Sequence, residues 1–439
     1  MSPRPYLLNG RVVDRITAYL FHAGGNDDAA PLDANFGKCF VASYVCGMGF
    51  TFDDTDLKSV ASPICEMQRL VRDDPRNGQR IFPFLGGEEI NNSPTHIHHR
   101  YVINFENFPL SRHSEGKSWF LLSEDVQDRQ VRLGTVAHDY PGPVAEDWPE
   151  LVAIIRQRVK PERALQNRDA IRERWWQYAE KRPGLMRALK EVTSGIALAS
   201  PSPHLAFARI PVGTIVSHPA AEGASDSFAV FASIQSRVHE VWARFMASSM
   251  KDDLRYTPSD CFETFPFPEN YESSAALEAA GREYYEFRAE LMIRHDEGLT
   301  KTYNRFHDPN EDSADIQRLR ELHAAMDRSA LDAYGWQDIQ PVCEFFPEFD
   351  DEDEADEGGR PRKKKYRYRW PEEIHDDVLA RLLELNRQHA LEEGQILVPK
   401  QPTDGPWADP NKTPPKKDKR NTKAPDSTEP LFATTEEEA

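Results

Sequence analysis

No apolar run in this 439-residue chain reaches the ~18 residues that a membrane-crossing helix needs, and the opening MSPRPYLLNGRVVDRI holds no signal-peptide core. A spanning helical protein or a secreted one is therefore not expected, and the cytoplasm is the expected compartment. Cysteine is scarce as well. Cys39, Cys46, Cys65, Cys261 and Cys343 are odd in number and form no CxxC pair, so neither a disulfide framework nor a structural zinc site is indicated. Positive charge is in short supply, with 54 Lys and Arg against 73 Asp and Glu and a net charge of −19. Taken over the whole chain, that balance argues against a nucleic-acid partner, because Lys and Arg drive phosphate binding.

The distribution of charge weakens that objection. Nine of the fifteen residues from Cys343 to Glu357 are acidic, and seven of the ten from Arg360 to Arg369 are basic. Residues 151–268 hold 16 Lys or Arg against 12 Asp or Glu, a local positive excess inside an acidic protein. With 39% hydrophobic residues, the chain can bury a core large enough for two or three domains.

The most patterned stretch is 228–268. Phe231, Ile234, Val238, Val241, Trp242 and Phe245 recur at spacings of three and four, which predicts a helix with one buried face. Arg237, His239, Glu240 and Arg244 fall on its polar side. Helical growth stops at Pro258, and the alternation in CFETFPFP predicts a short extended segment laid on a core.

The phrases QSRVHEVWARF, LRYTPSDCFETFPFP and the pair Trp175-Trp176 resemble the target-recognition region of MmeI-like restriction-modification enzymes, single-chain proteins that methylate adenine and carry a nuclease. GMGFTFDD, IFPFLGGEEINNSPTHIHHRYVINF and KTYNRFHDP agree with it, so the resemblance runs from about Asn9 to His389. It covers the back of the family's chain. The implied organisation is a junction to an absent methyltransferase domain at 1–38, a DNA target-recognition domain at 39–268 and a C-terminal helical domain at 269–395. That last part includes the acidic and basic linker at 344–369, and 396–439 reads as a disordered tail. The expected fold class is α+β. One departure stands out: where the family commonly has a lysine before the histidine of its HLAF segment, this chain has Pro203-His204.

Candidate contacts follow in chain order. Gly86 and Gly87 permit a sharp turn or close approach, and the resemblance makes Gly87, Glu88 and Asn91 candidates at the DNA entrance. His96, His98 and His99, with Asp53, form a conceivable metal cluster, against the commoner reading of polar residues entering the strand YVINF; Arg100 beside them is a phosphate candidate. From Trp148 two helical runs are expected, the second through ERALQNRDAIRERWWQYAEK. The cations Lys160, Arg163, Arg168, Arg172, Arg174, Lys181 and Arg182 track phosphates there, and the tryptophans are read as core. SGIALAS, PHLAFARIP and GTIVSHP are short strands. His204, Lys251, Arg255, Tyr256 and Thr257 complete the DNA set, and the small polar loop from Ser217 to Ser227 offers Glu222 and Asp226 to a cytosine amino group. Apolar stripes predict three long helices between 275 and Glu393.

An adenine methyltransferase needs a glycine-rich turn for S-adenosylmethionine and an Asn/Asp-Pro-Pro-Tyr/Phe motif, and the nuclease needs Pro-Asp followed by acidic-x-Lys; none occurs in this sequence. The expected function is DNA sequence recognition in an adenine-specific methyltransferase system of restriction-modification or phage-defence type. No catalytic residue, metal or cofactor is expected in the chain itself. Double-stranded DNA and a methyltransferase subunit carrying S-adenosylmethionine are the expected partners. Two other readings stay open, an interaction adaptor using the acidic segment and a metal-dependent enzyme using the His96–His99 cluster.

Overall fold

A computed structural model describes residues 28–250, 253–348 and 365–395, with the backbone of a short antiparallel pair at Tyr6–Leu8 and Arg11–Val13. Lys251, most of the expected junction, the charged stretch 349–364 and the tail lie outside the described residues. The fold is mixed α+β, with strands concentrated before residue 256 and long helices after it.

Two small four-stranded sheets organise the first part. Ala208–Pro211, Ser194–Ala199, Ala220–Gly223 and Cys39–Val41 pair in that order, all antiparallel. In the other sheet Ile215–Val216 runs parallel to Ile81–Leu85, followed antiparallel by Arg100–Ile103 and Thr51–Phe52. Two segments cross between the sheets side by side. There Ser43 N donates to Val216 O at 3.2 Å and His218 N donates to Ser43 O at 2.9 Å. The short strands expected in SGIALAS, PHLAFARIP and GTIVSHP are present. The expected loop at 217–227 is not one throughout, because Ala220–Gly223 is an interior strand whose small residues fit between two neighbours.

The patterned stretch holds the main core. It is two helices, not one: Phe228–Gln235 is buried on every side and capped by Ser227, and Arg237–Met246 restarts after Ser236 leaves helical geometry. Arg237 and His239, expected on a polar face, are buried. CFETFPFP is likewise not a strand. A π-helical turn at Pro258–Phe262 leads into irregular chain, while its apolar residues are buried as expected because Phe262, Phe265 and Phe267 pack on one another at 4.8–5.2 Å. A second core gathers Trp175, Trp176 and Tyr178 against Phe50, Phe52, Leu151 and Ile155, which bears out the reading of the tryptophans. The expected second helical run breaks into the short pieces Lys160–Arg163 and Asp169–Glu173.

The long helices Ala275–His295, Ala314–Ala333 and Glu372–Glu392 match the apolar stripes. The first lies backbone-to-backbone on Phe228–Gln235 at Gly281, where an added Cβ would sit 2.3 Å from Phe228 O. Main-core residues run from Cys39 to Leu383, so both sides of residue 268 share one interior.

Arg237 binds that interior together. Its backbone N–H and Nη1 donate to the two oxygens of Asp327 at 2.8 and 2.7 Å, and Nη2 donates to Tyr368 O at 3.3 Å. Both partners of the pair are almost fully buried. Removing one leaves the other charged without compensation, so Asp327→Ala is expected to cost roughly 3–5 kcal/mol in denaturant-unfolding free energy. An unchanged transition would contradict this account of the core.

Candidate nucleic-acid interface

The helix Pro149–Arg158 starts on Pro149 at its first position and buries Leu151, Val152 and Ile155. Arg156 on this helix and Lys160 just beyond it lean on the second core, standing over the Trp175 ring at 5.8 and 5.2 Å. Arg163 does the opposite. It is 1% exposed, and its guanidinium donates to four carbonyl oxygens, those of Val45, Cys46, Trp175 and Gln177. With every nitrogen committed inward, Arg163 is a clamp between residues 45–46 and 175–177 and cannot reach a phosphate.

The remaining cations of this stretch differ in freedom. Arg172 is exposed but ion-paired to Asp169 and bonded to Gln166 O at 2.6 Å. Lys181 donates to Gln177 Oε1 at 2.8 Å, and burial together with the charge of Arg174 lowers its pKa. Arg174 is half-buried, and Arg168 is exposed.

Arg168 and Arg182 converge on opposite oxygens of one carboxylate, Glu180, at 3.9 and 3.6 Å. Glu180 is held in place by reciprocal backbone hydrogen bonds with Tyr44, at 3.0 and 3.1 Å. Next to Tyr44, at a ring distance of 5.2 Å, lies His218, the residue that crosses between the sheets. Burial and the charges of Arg182 and Arg255 hold the His218 imidazole below its ordinary value, against the opposing pull of Glu180. Arg255, on the strand Asp253–Arg255, is exposed and has no ion-pair partner among the described residues. Arg168 and Arg182 thus share a single carboxylate, and Arg182 and Arg255 both act on the His218 imidazole beside it, leaving a local positive excess. Tyr44 and His218 were not among the expected contacts. The signal in the sequence is a ring closing each of two β-rich runs, CFVASY and GTIVSHP.

Several expected contacts lie elsewhere. Tyr256 is 3% exposed and pairs its hydroxyl with His239 Nε2 at 3.0 Å, and its neighbour Thr257 donates to Asp260 at 2.7 Å. His204 is buried, stacked on His307 at 5.1 Å with Nε2 bonded to Asn304. In this way KTYNRFHDP docks onto the segment where the family's lysine is missing. Arg100 points inward to Glu89, 4.0 Å from Asp53 and over the Phe84 ring. Glu89 accepts from Gly86 N at the start of the short helix Gly87–Asn92, on which Glu88 is exposed and Asn91 half-buried.

The three histidines do not converge on an ion. His96 sits in a left-handed turn, its pKa lowered to about 4 by burial and by Arg288; His98 packs edge-on to Tyr101; His99 approaches Glu89 at 3.8 Å. Asp53 takes both hydrogen bonds of Thr55, leaving no ligand set with the histidines. Elsewhere among the described residues Glu372, His375 and Asp376 gather three ligand atoms within 4.8 Å, with Glu372 already paired to Arg369.

Asp226 is exposed but bonded to Thr193. Glu222 is 2% exposed inside the first sheet and cannot meet a base edge. Burial raises its pKa from 4.5 to about 8. A carboxyl that is protonated in the fold and ionised in the unfolded chain gives stability that is complete below the unfolded value and lost as pH rises through the folded one. Glu222→Gln should therefore raise the unfolding temperature by a few degrees at pH 8.5 and by much less at pH 5. Equal effects at both pH values would contradict a neutral buried Glu222.

Residues 150–269 match the family model described as "MmeI, target recognition domain". No curated protein matches the chain. Among solved structures, the type IIL restriction-modification enzyme MmeI in complex with DNA matches with a TM-score of 0.50 and 14% identity, covering 87% of this chain and 39% of that one. The present chain therefore spans well under half of the enzyme it matches, and at such identity the likeness speaks for the fold alone. No helix among the described residues is long and apolar enough to cross a membrane. Residues 150–269, with Arg168, Arg182, His218 and Arg255 among them, are an MmeI-like target-recognition region.

Proposed function

We propose that this chain recognises a DNA sequence on behalf of an adenine-specific methyltransferase of restriction-modification or phage-defence type, with methyl transfer carried out by a partner. The observation that carries the reading is the pairing of Arg168 and Arg182 on Glu180, with Arg255 near enough to act on the adjacent His218, a local positive excess on a chain of net charge −19. Phosphate contacts set the register of a protein on a duplex, and base-edge contacts choose the sequence. Here the arginines take the phosphates, with Lys160, Arg172, Arg174 and Lys181 as further phosphate candidates. The family match at 150–269 and the fold of a DNA-bound relative support the same assignment.

Chemistry on the base needs S-adenosylmethionine and a motif that holds an extruded adenine, and the sequence has neither. A methyltransferase subunit supplies both. This chain contributes binding energy and choice of site, which places its effect on which DNA is methylated.

The triple variant Arg168→Ala, Arg182→Ala, Arg255→Ala is expected to weaken binding to all duplexes alike. The slope of log K against log salt should become shallower by about 0.9 for each phosphate that the variant no longer neutralises. A titration over a range of salt measures this directly, and an unchanged slope would remove these arginines from the DNA face. Arg163→Lys is the comparison variant. It disturbs the buried clamp, so it should lower the unfolding temperature without altering the slope of the folded protein.

A further inference from the structure

Beside the paired arginines stand two rings, the half-buried Tyr44 and the exposed His218, with centroids 5.2 Å apart and planes inclined at 52°. Their backbones are fixed on both sides. Tyr44 exchanges both of its hydrogen bonds with Glu180, and His218 N donates to the carbonyl of Ser43, the residue before Tyr44. Such paired backbone removes the main-chain part of the ordering cost on binding. We infer that Tyr44 and His218 form a base-reading pair, with His218 contacting the edge of a purine in the groove whose phosphates the surrounding arginines hold.

The inference rests on the DNA-recognition reading above and adds the residues that choose the sequence. Three considerations carry it. First, the arrangement matches the chemistry of a groove, in which phosphates line the two walls and base edges form the floor. Arg168 and Arg182 share the carboxylate of Glu180, whose backbone pairs with Tyr44, and Arg182 and Arg255 bring positive charge to bear on His218. Second, the two ring residues carry hydrogen-bonding groups suited to a base. A neutral imidazole offers one donor and one acceptor, and the donor matches purine N7, while Tyr44 adds a phenol and an aromatic face. Burial first, and then the positive charges of Arg182 and Arg255 against the opposing pull of Glu180, favour that neutral form over imidazolium. Third, the acidic residues first expected to read bases are otherwise engaged, with Glu222 inside a sheet and Asp226 bonded to Thr193.

Full-length chain, wild type and variant, would be equilibrated with a pool of duplexes randomised over a short window, and bound and free pools sequenced. A salt titration on one fixed duplex would accompany each selection. Wild type is expected to enrich a sequence, and His218→Ala to lose roughly ten-fold discrimination at one purine position with the salt slope unchanged. His218→Gln, which keeps a donor and an acceptor, should retain part of it. Tyr44→Ala should relax the same or the adjacent base pair, and near-wild-type unfolding temperatures would show that the variants are folded. Unaltered preference in both alanine variants would overturn the base-reading role while leaving DNA recognition standing. A uniform loss with a slope shallower by about 0.9 for His218→Ala would make it a phosphate ligand and overturn the inference too. Wild-type protein that binds no duplex would overturn the functional reading itself, and this inference with it.

Discussion

Three arginines that the fold takes out of water determine how much else must be in place. Arg237, Arg163 and Arg288 are each almost fully buried, and a guanidinium in that position is tolerated only if its donors find acceptors. Arg237 finds Asp327 and the carbonyl of Tyr368, residues 90 and 131 positions further along the chain. Arg288 reaches back to Phe207 O and forward to Tyr303, and Arg163 reaches back to the carbonyls of 45–46. Each arginine joins segments that are remote in sequence, so the strands before residue 256 and the helices after it stabilise each other. The proposed DNA face is braced by this arrangement, since Arg163 holds Val45 and Cys46 immediately beside Tyr44.

These buried arginines also mark where the sequence pattern misleads most. Counting Lys and Arg over 151–268 treats every cation as solvated, and nothing in the one-dimensional pattern separates Arg163, bonded to four carbonyls, from Arg168, exposed beside Glu180. The same limit applies to His204 and Tyr256, whose partners Asn304 and His239 are supplied by tertiary structure. Small residues mislead in another way. Ala220, Ala221 and Gly223 look like loop composition, yet lack of bulk is what an interior strand needs when Ser194–Ala199 and Cys39–Val41 flank it closely. Alternation in CFETFPFP reflects aromatic packing around a π-helical turn, not an extended backbone.

What is legible rests on strong periodicity and on bulk. The three long C-terminal helices follow their apolar stripes, and Trp175 and Trp176 are core, as their large apolar area requires. The family likeness, read from motifs near Trp175 and within 228–268, is matched by the family model over 150–269. The positive face is legible only in part. Arg168, Arg182 and Arg255 are candidates from the sequence, but their relation to Glu180 and His218 depends on the crossing of 43–46 past 217–218, and Tyr44, His218 and Glu180 acquire significance only there.

The most direct test of the account is hydrogen–deuterium exchange on the full-length chain with and without duplex DNA. Backbone amides at 43–46, 168–182, 217–218 and 253–257 should become more protected when DNA is bound, while the helix Ala275–His295 stays as it was. Protection confined to the C-terminal helices, or none at these four segments under conditions where DNA is bound, would contradict the assignment of this face to DNA.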